Sequence, residues 1–244
     1  MPDRSVLSIG GADRVSFLQG LVTNDVAKAD GSIIYTALLT PQGKFIADFF
    51  VLGQKDRLLL DVATSHTQVL GQRLMMYRLR ADVSIEPTDT VVSRGTGEMP
   101  DGGFADPRHP ALGWRAYGDS NISDATDWDA IRVANLIPAT GIELTDDTYV
   151  LEAGFEALNG VDFKKGCFVG QEIVARMKHK TTLKKGIARV QITGKANAGD
   201  AITAAGKPVG TLHTVSDDTG LAYLRFDRAE GEMQAGDATL TRIT

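Results

Sequence analysis

The chain has 244 residues, of which 26 are basic and 31 acidic, for a formal net charge of −5; 43% are hydrophobic, 23% charged, and one is cysteine. That composition suits one large core, or a large domain with a small one; it excludes a disordered chain, and no run approaches the roughly 18 apolar residues that span a bilayer. A single cysteine excludes an internal disulfide and a self-sufficient four-cysteine zinc or iron–sulfur site, and the acidic balance speaks against bulk nucleic-acid binding, which draws on a basic excess. The opening, MPDRSVLSIGGADRV, shows neither a basic-then-apolar leader nor an Arg/Ser-rich amphipathic one, so the expected location is cytoplasmic, with no direct membrane partner.

In chain order, Leu7 to Asp25 is predicted as an amphipathic helical region, because Val15, Leu18, Leu21 and Val22 share one helical face. Ile33 to Leu39, Phe45 to Leu52 and Leu58 to Val62 are apolar or alternating runs parted by Pro41-Gln42-Gly43 and Gln54-Lys55-Asp56, which predicts a three-stranded meander. Thr64 or Ser65 caps a helix through Val69, Leu70, Leu74 and Tyr77, and Leu79 to Ile85 is extended before Pro87. Gly95 to Pro110, with four glycines and three prolines, is a long surface loop between two halves. A helix over Trp128 to Ile137 stops at Pro138. Gly186 to Ile192, Val209 to Thr214, Leu221 to Leu224 and Ala238 to Ile243 are short strands between Gly and Asp turns, which predicts a small all-β barrel over 185–244 behind a body over 1–184.

The chemistry concentrates in Val161 to Lys185, VDFKKGCFVGQEIVARMKHKTTLKK, where a Gly166-Cys167 turn precedes a helix from about Gly170 to His179. Lys164, Lys165, Arg176 and the helix N-terminus would favour a thiolate there, and Gly166 and Gly170 leave room for a ligand; the competing reading is a small buried thiol. Gln171 and Glu172 fall in the first helical turn, where a carboxylate alone stabilises a helix by up to about 1 kcal/mol. Seven Lys or Arg and one acid lie between Lys164 and Lys185. Such an island is either a solvated face or a dock for an anion such as a folate glutamate tail, a phosphate or an RNA backbone. A cysteine hydrolase would need a histidine base, and only His66, His109, His179 and His213 are present.

The run KGCFVGQE, Lys165 to Glu172, resembles the signature of the YgfZ family of folate-binding proteins. FLQGLVTNDV, LLTPQGKFIADFFVL, MMYRLRADVSIE and VGTLHTVSDDTGLAYLRFD resemble family segments too, so the likeness spans essentially the whole chain. It implies an α+β fold like the T protein of the glycine cleavage system, with a folate-binding body and a small C-terminal antiparallel β-barrel. It also implies tetrahydrofolate, or a one-carbon derivative, as cofactor. The role it implies is maintenance of iron–sulfur enzymes, tRNA-modifying ones included; folate and those client proteins would be partners, and nucleic acid would not. By the same resemblance Cys167 and Lys165 are the working residues, with Asp48, Arg132, Gly166, Gln171 and Glu172 toward the cofactor.

Two departures from the T protein stand out. That protein carries paired aspartates where this chain has Ala47-Asp48. In Arg132 to Glu143, RVANLIPATGIE, Ala134 stands where the T protein has a glutamate that holds the pterin, and Leu136 where it has glycine. A true aminomethyltransferase, the alternative function, would expect that glutamate and has no evident use for the cysteine motif.

Overall fold

A computed structural model describes residues 3–119, 125–180 and 182–243. The three apolar runs pair as a meander: β2 (Ile33–Leu39), β3 (Phe45–Gly53) and β4 (Leu58–Ala63) lie side by side, and β1 (Arg4–Gly10) and β5 (Ser84–Thr88) complete an antiparallel sheet in the order β2-β3-β4-β1-β5. Every residue of β2 and β4 is buried, because both faces of the sheet are covered, so these strands read as unbroken apolar runs. Leu38, Phe49 and Leu60 share one core cluster with Leu18 of α1 (Arg14–Gln19) and with Leu70 and Leu74 of α2 (Thr67–Arg78). Successive side chains alternate across a strand, so Phe50 turns to the other face.

Three local expectations are corrected. Leu7 to Gly10 is strand, held between β4 and β5, and the expected long helix is only the six residues of α1. Two flanking ladders outweigh the local helical period. Neither Thr64 nor Ser65 caps α2; they belong to a 3-10 turn over Thr64–His66, and His66 stands at the cap position without a side-chain capping bond, its ring bonded to the Ser65 hydroxyl at 2.9 Å. Pro87 lies inside β5 rather than after it, which is tolerated because β5 is an edge of the sheet and proline donates nothing to a ladder.

A second, three-stranded sheet runs β6-β8-β7, from β6 (Val91–Gly95), β7 (Phe104–Ala105) and β8 (Trp114–Gly118), so the expected loop from Gly95 to Pro110 contains a two-residue strand. Two short helices follow, α3 (Trp128–Ala134) and α4 (Gln171–Lys180). The C-terminal strands β9 (Lys185–Thr193), β10 (Ala201–Ala204), β11 (Lys207–Ser216), β12 (Thr219–Arg225), β13 (Glu232–Ala235) and β14 (Ala238–Ile243) close a barrel in the order β10-β11-β12-β9-β14-β13. Val190, Ile202, Leu212, Leu224, Met233 and Leu240 fill it. Sequence reading missed β10 and β13, which have four residues each, too few to show a period. The α+β class with a closed antiparallel barrel at the C-terminus is the one expected.

Two compact units interleave along the chain: one gathers β1 to β8 with 155–175, the other joins 127–154 to the barrel.

Candidate functional site

The cysteine loop is built on the segment that precedes β2. The Thr23 hydroxyl donates to the Gly160 carbonyl at 2.6 Å, and the Asn24 amide donates to the carbonyls of Tyr35 and Asn159 at 2.8 and 2.7 Å. The Asp162 N–H donates to the Thr23 carbonyl at 3.0 Å. Its carboxylate then accepts the backbone N–H groups of Lys164 and Lys165 at 2.7 and 3.3 Å and pairs with Lys28 at 2.6 Å, an aspartate-closed turn.

Lys165 is buried, and its Nζ donates to the Gln19 carbonyl at 2.6 Å and to the Val22 carbonyl. These oxygens belong to the end of α1 and the residues after it, where a cation meets carbonyls with no helical partner. The Phe168 ring lies 5.1 Å from the same nitrogen, and Val169 packs on the core. Gly170, at φ 84, closes the loop: a Cβ there would stand 2.7 Å from the Thr40 carbonyl. Its own carbonyl accepts the Val174 N–H as α4 begins. Gly43 supports α4 from the β2–β3 turn, where a Cβ would lie 2.8 Å from that of Ile173.

Between the anchors at 165 and 170, Gly166 and Cys167 are exposed, and a Cβ on Gly166 would meet nothing within 4 Å. The thiol is thus a presented group on a loop held at both ends, and the reading of it as a small buried hydrophobe does not hold. Gln171 is half-buried and Glu172 exposed in the first turn of α4.

Lys165, expected to work beside the thiol, is committed to the fold. Burial draws its ammonium down to about 8, against the opposing pull of Asp25 and Asp162. An unfolded lysine titrates near 10.4, so between about pH 8 and 10.4 the unfolded chain holds more protons than the folded one, and this group makes folding more favourable as pH rises through that window. Replacing Lys165 by alanine orphans two backbone acceptors and is expected to cost about 1.5–3 kcal/mol. Amide exchange should quicken at 162–170, and the alkaline gain in stability should disappear; urea titrations at pH 7 and pH 10 read both.

The other two expected cofactor residues, Asp48 and Arg132, are each buried within their own unit. Asp48 on β3 is buried, accepts the Tyr35 hydroxyl at 2.9 Å, and belongs to the sheet core. Burial, with Asp48 adding to it, holds the Tyr35 hydroxyl well above its ordinary range. Arg132 on α3 is fully buried in the other unit. It donates to Glu143 at 2.5 Å, to Asp129 at 2.7 Å, to the Ile137 carbonyl at 3.1 Å and to Thr214 of β11 at 3.2 Å. Ala134 is exposed, and Leu136 holds φ 55, a conformation that glycine adopts without strain. These residues do not fit a pterin clamp: Arg132 has its donors engaged inside its own unit, and Ala134 offers no side-chain acceptor.

Sequence reading missed a buried charged cluster on the Phe50 face of the first sheet. Asp61 accepts from Arg4 at 2.6 Å, from Tyr117 at 2.9 Å and from Arg115, while Asp106 takes a two-pronged pair of bonds from Arg108 at 2.8 and 3.0 Å. The guanidiniums of Arg115 and Arg108 lie 3.9 and 4.8 Å from the Phe50 centroid. Burial raises the Asp61 carboxyl, but Arg115 and Arg4 overcome it and hold it below its ordinary value. Separately, a cleft of about 520 Å³ adjoins the loop, lined among others by Lys28, Tyr35, Asn159, Asp162, Phe163 and Lys164. Its lining stops three residues short of the thiol.

Comparison with known proteins gives this geometry a context. The family model of the CAF17 C-terminal β-barrel domain matches residues 184–243. Named iron–sulfur cluster assembly factors of the mitochondrial IBA57 type match much of the chain: 28% identical in Mycosarcoma maydis over 77% of this chain and 55% of the relative, and 28% in Neurospora crassa over 77% and 52%. The mouse factor is 25% identical over 99% of this chain and 81% of its own. The chain resembles the IBA57 iron–sulfur cluster assembly factors. It spans about half the length of the fungal relatives. The aminomethyltransferase T of the glycine cleavage system from Bartonella henselae superposes with a TM-score of 0.78 at 13% identity, covering 98% of this chain and 82% of that one, so the fold is shared. The cytoplasmic location expected from the opening residues is overturned by the relatives, which are named mitochondrial. Opening residues alone do not decide location. Among the described residues, no helix is long and apolar enough to cross a membrane.

Proposed function

We propose that this chain is an iron–sulfur cluster assembly factor that acts through the thiol of Cys167, in the manner suggested by its resemblance to the YgfZ family. One observation carries the reading: a lone cysteine, exposed, sits on a loop whose flanking residues, Lys165 and Gly170, are spent entirely on holding it still. Among the described residues, no group of three His, Cys, Asp or Glu side chains is placed to hold a metal. The thiolate would lend one ligand to cargo whose other ligands come from a client protein. Iron–sulfur enzymes, those that modify tRNA among them, are the proposed clients. In cells lacking the chain, wild type should restore the activity of a [4Fe–4S] dehydratase and Cys167→Ser should not, with an unchanged melting temperature because the side chain is exposed. Full restoration by the serine variant would sink the proposal.

Tetrahydrofolate enters the proposal as a weakly held ligand of the body, with no chemical step assigned to it. The shared fold supports this, and the missing acceptor at Ala134 sets the affinity. A hydrogen bond to a charged group contributes about 1.5–3 kcal/mol, so Ala134→Glu should tighten tetrahydrofolate binding by roughly ten- to a hundredfold. Tryptophan fluorescence and calorimetry measure it; equal affinities would show that position 134 does not face the ligand.

A further inference from the structure

The outer face of α2 is not used by anything described above. Leu70 and Leu74 fill the core, and Tyr77 packs against it, which accounts for one side of the helix. Gln68, Gln72, Met75, Met76 and Leu79 follow one another at steps of four, three, one and three, which aligns them as a single stripe on the opposite side. Met75, Met76 and Leu79 are 49%, 65% and 88% exposed. A surface helix ordinarily sets polar residues there.

Leu79 is the sharper anomaly. It ends the helix at φ 47 and ψ −107, a backbone that strains a branched residue and suits glycine. Neither packing nor backbone preference explains a leucine at this point. The helix itself carries cations and no acids: Arg73, Arg78 and Arg80 are exposed, no acidic residue occurs from Val62 to Ala81, and the Asp82 that follows accepts the Ala12 N–H at 3.2 Å.

We propose that this face docks a separate protein whose surface offers an apolar groove edged with carboxylates. Met75, Met76 and Leu79 have the spacing of helix-in-groove anchors, methionine adapts to irregular pockets, and arginine grips carboxylates through two parallel bonds. A second copy of this chain fits poorly, since a two-fold contact would set arginines against arginines. A bilayer fits poorly too. An interfacial helix carries its apolar stripe along its whole length, often with Trp or Phe, whereas two of the five residues of this stripe are Gln68 and Gln72.

The test starts from the full chain with a photo-crosslinking benzoylphenylalanine in place of Met76, irradiated in cells of the source organism, with the same group in place of exposed Lys195 as a control. The protein joined at 76 is then purified and titrated calorimetrically with wild type, with Met75→Ser/Met76→Ser and with Arg78→Glu/Arg80→Glu. The expected result is an acidic partner whose affinity falls by about tenfold or more in each variant and falls again between about 50 and 300 mM salt. Both variants should melt at or near the wild-type temperature, because these side chains lie outside the core. The proposal is overturned by no adduct beyond the control, by an adduct of the chain with itself, by affinities that neither variant changes, or by equal loss of binding to vesicles of phosphatidylcholine and phosphatidylglycerol. None of these outcomes bears on Cys167.

Discussion

Replacing Arg132 by methionine is expected to lower the free energy of unfolding by about 3–5 kcal/mol, because it leaves the Glu143 carboxylate buried without its charge partner. Glu143 and Arg132 are both inaccessible to solvent in their side chains. After the substitution Glu143 keeps the neutral donors Thr214, through its hydroxyl, and Ala139, through its N–H at 2.9 Å. The loss should not be confined to α3, since the same guanidinium also holds the Ile137 carbonyl and Thr214 on β11. A second substitution, Glu143→Leu, in the methionine background should recover most of the loss, as an apolar pair of similar volume is often neutral in place of a buried ion pair. Urea unfolding of the three proteins decides it. A single-mutant loss below about 1 kcal/mol would mean that the pair is solvated. The measurement also separates two roles for Arg132, because a ligand-holding arginine would change binding and leave stability nearly untouched.

Asp61→Asn should be of similar size, about 3–5 kcal/mol, for the opposite reason: it takes the carboxylate from Arg4 and leaves Arg115, beside Phe50, with the longer pair to Asp106 at 3.5 Å. The pH dependence provides an independent reading. Asp61 and Asp106 have folded values below the ordinary one, in each case because neighbouring arginines outweigh the upward push of burial. A carboxyl lowered in the folded state contributes stability that is present above its unfolded value near 4 and is lost as pH falls through the folded value. Wild type should therefore weaken steeply below about pH 4, and Asp61→Asn should flatten that acid limb while starting from a lower plateau. Chemical denaturation at steps from pH 3 to pH 7 tests both. An unchanged acid limb in the variant would place the acid sensitivity in other carboxylates.

The cysteine loop shows how far local reading reaches. KGCFVGQE placed the cysteine in a turn and the helix after it, because glycines and a helix start are properties of neighbouring residues, while the exposure of the thiol came from the fold. What it could not show was that Lys165 faces inward: the carbonyls that hold it belong to Gln19 and Val22, more than a hundred residues earlier. FLQGLVTNDV read as the end of a helix, and its Thr23 and Asn24 instead grip the chain at 159–160. Asp48 and Arg132, chosen by resemblance, lie in the interiors of their units with partners on other segments.

By itself the sequence determined the meander, most of the barrel strands and the glycine-flanked turn that carries the cysteine, since hydrophobic period and turn composition act over a few residues. Only the tertiary structure decided which charges are buried and with whom. Arg4 reaches Asp61 because β1 and β4 pair antiparallel in the register that sets Val6 against Asp61, and Arg115 arrives from β8 in a different sheet. Ion pairs across 57 and 54 residues leave no local trace. A guanidinium can be buried only where folding has already assembled its carboxylate and ring, so the charged core follows from strand register and not from any pattern along the chain.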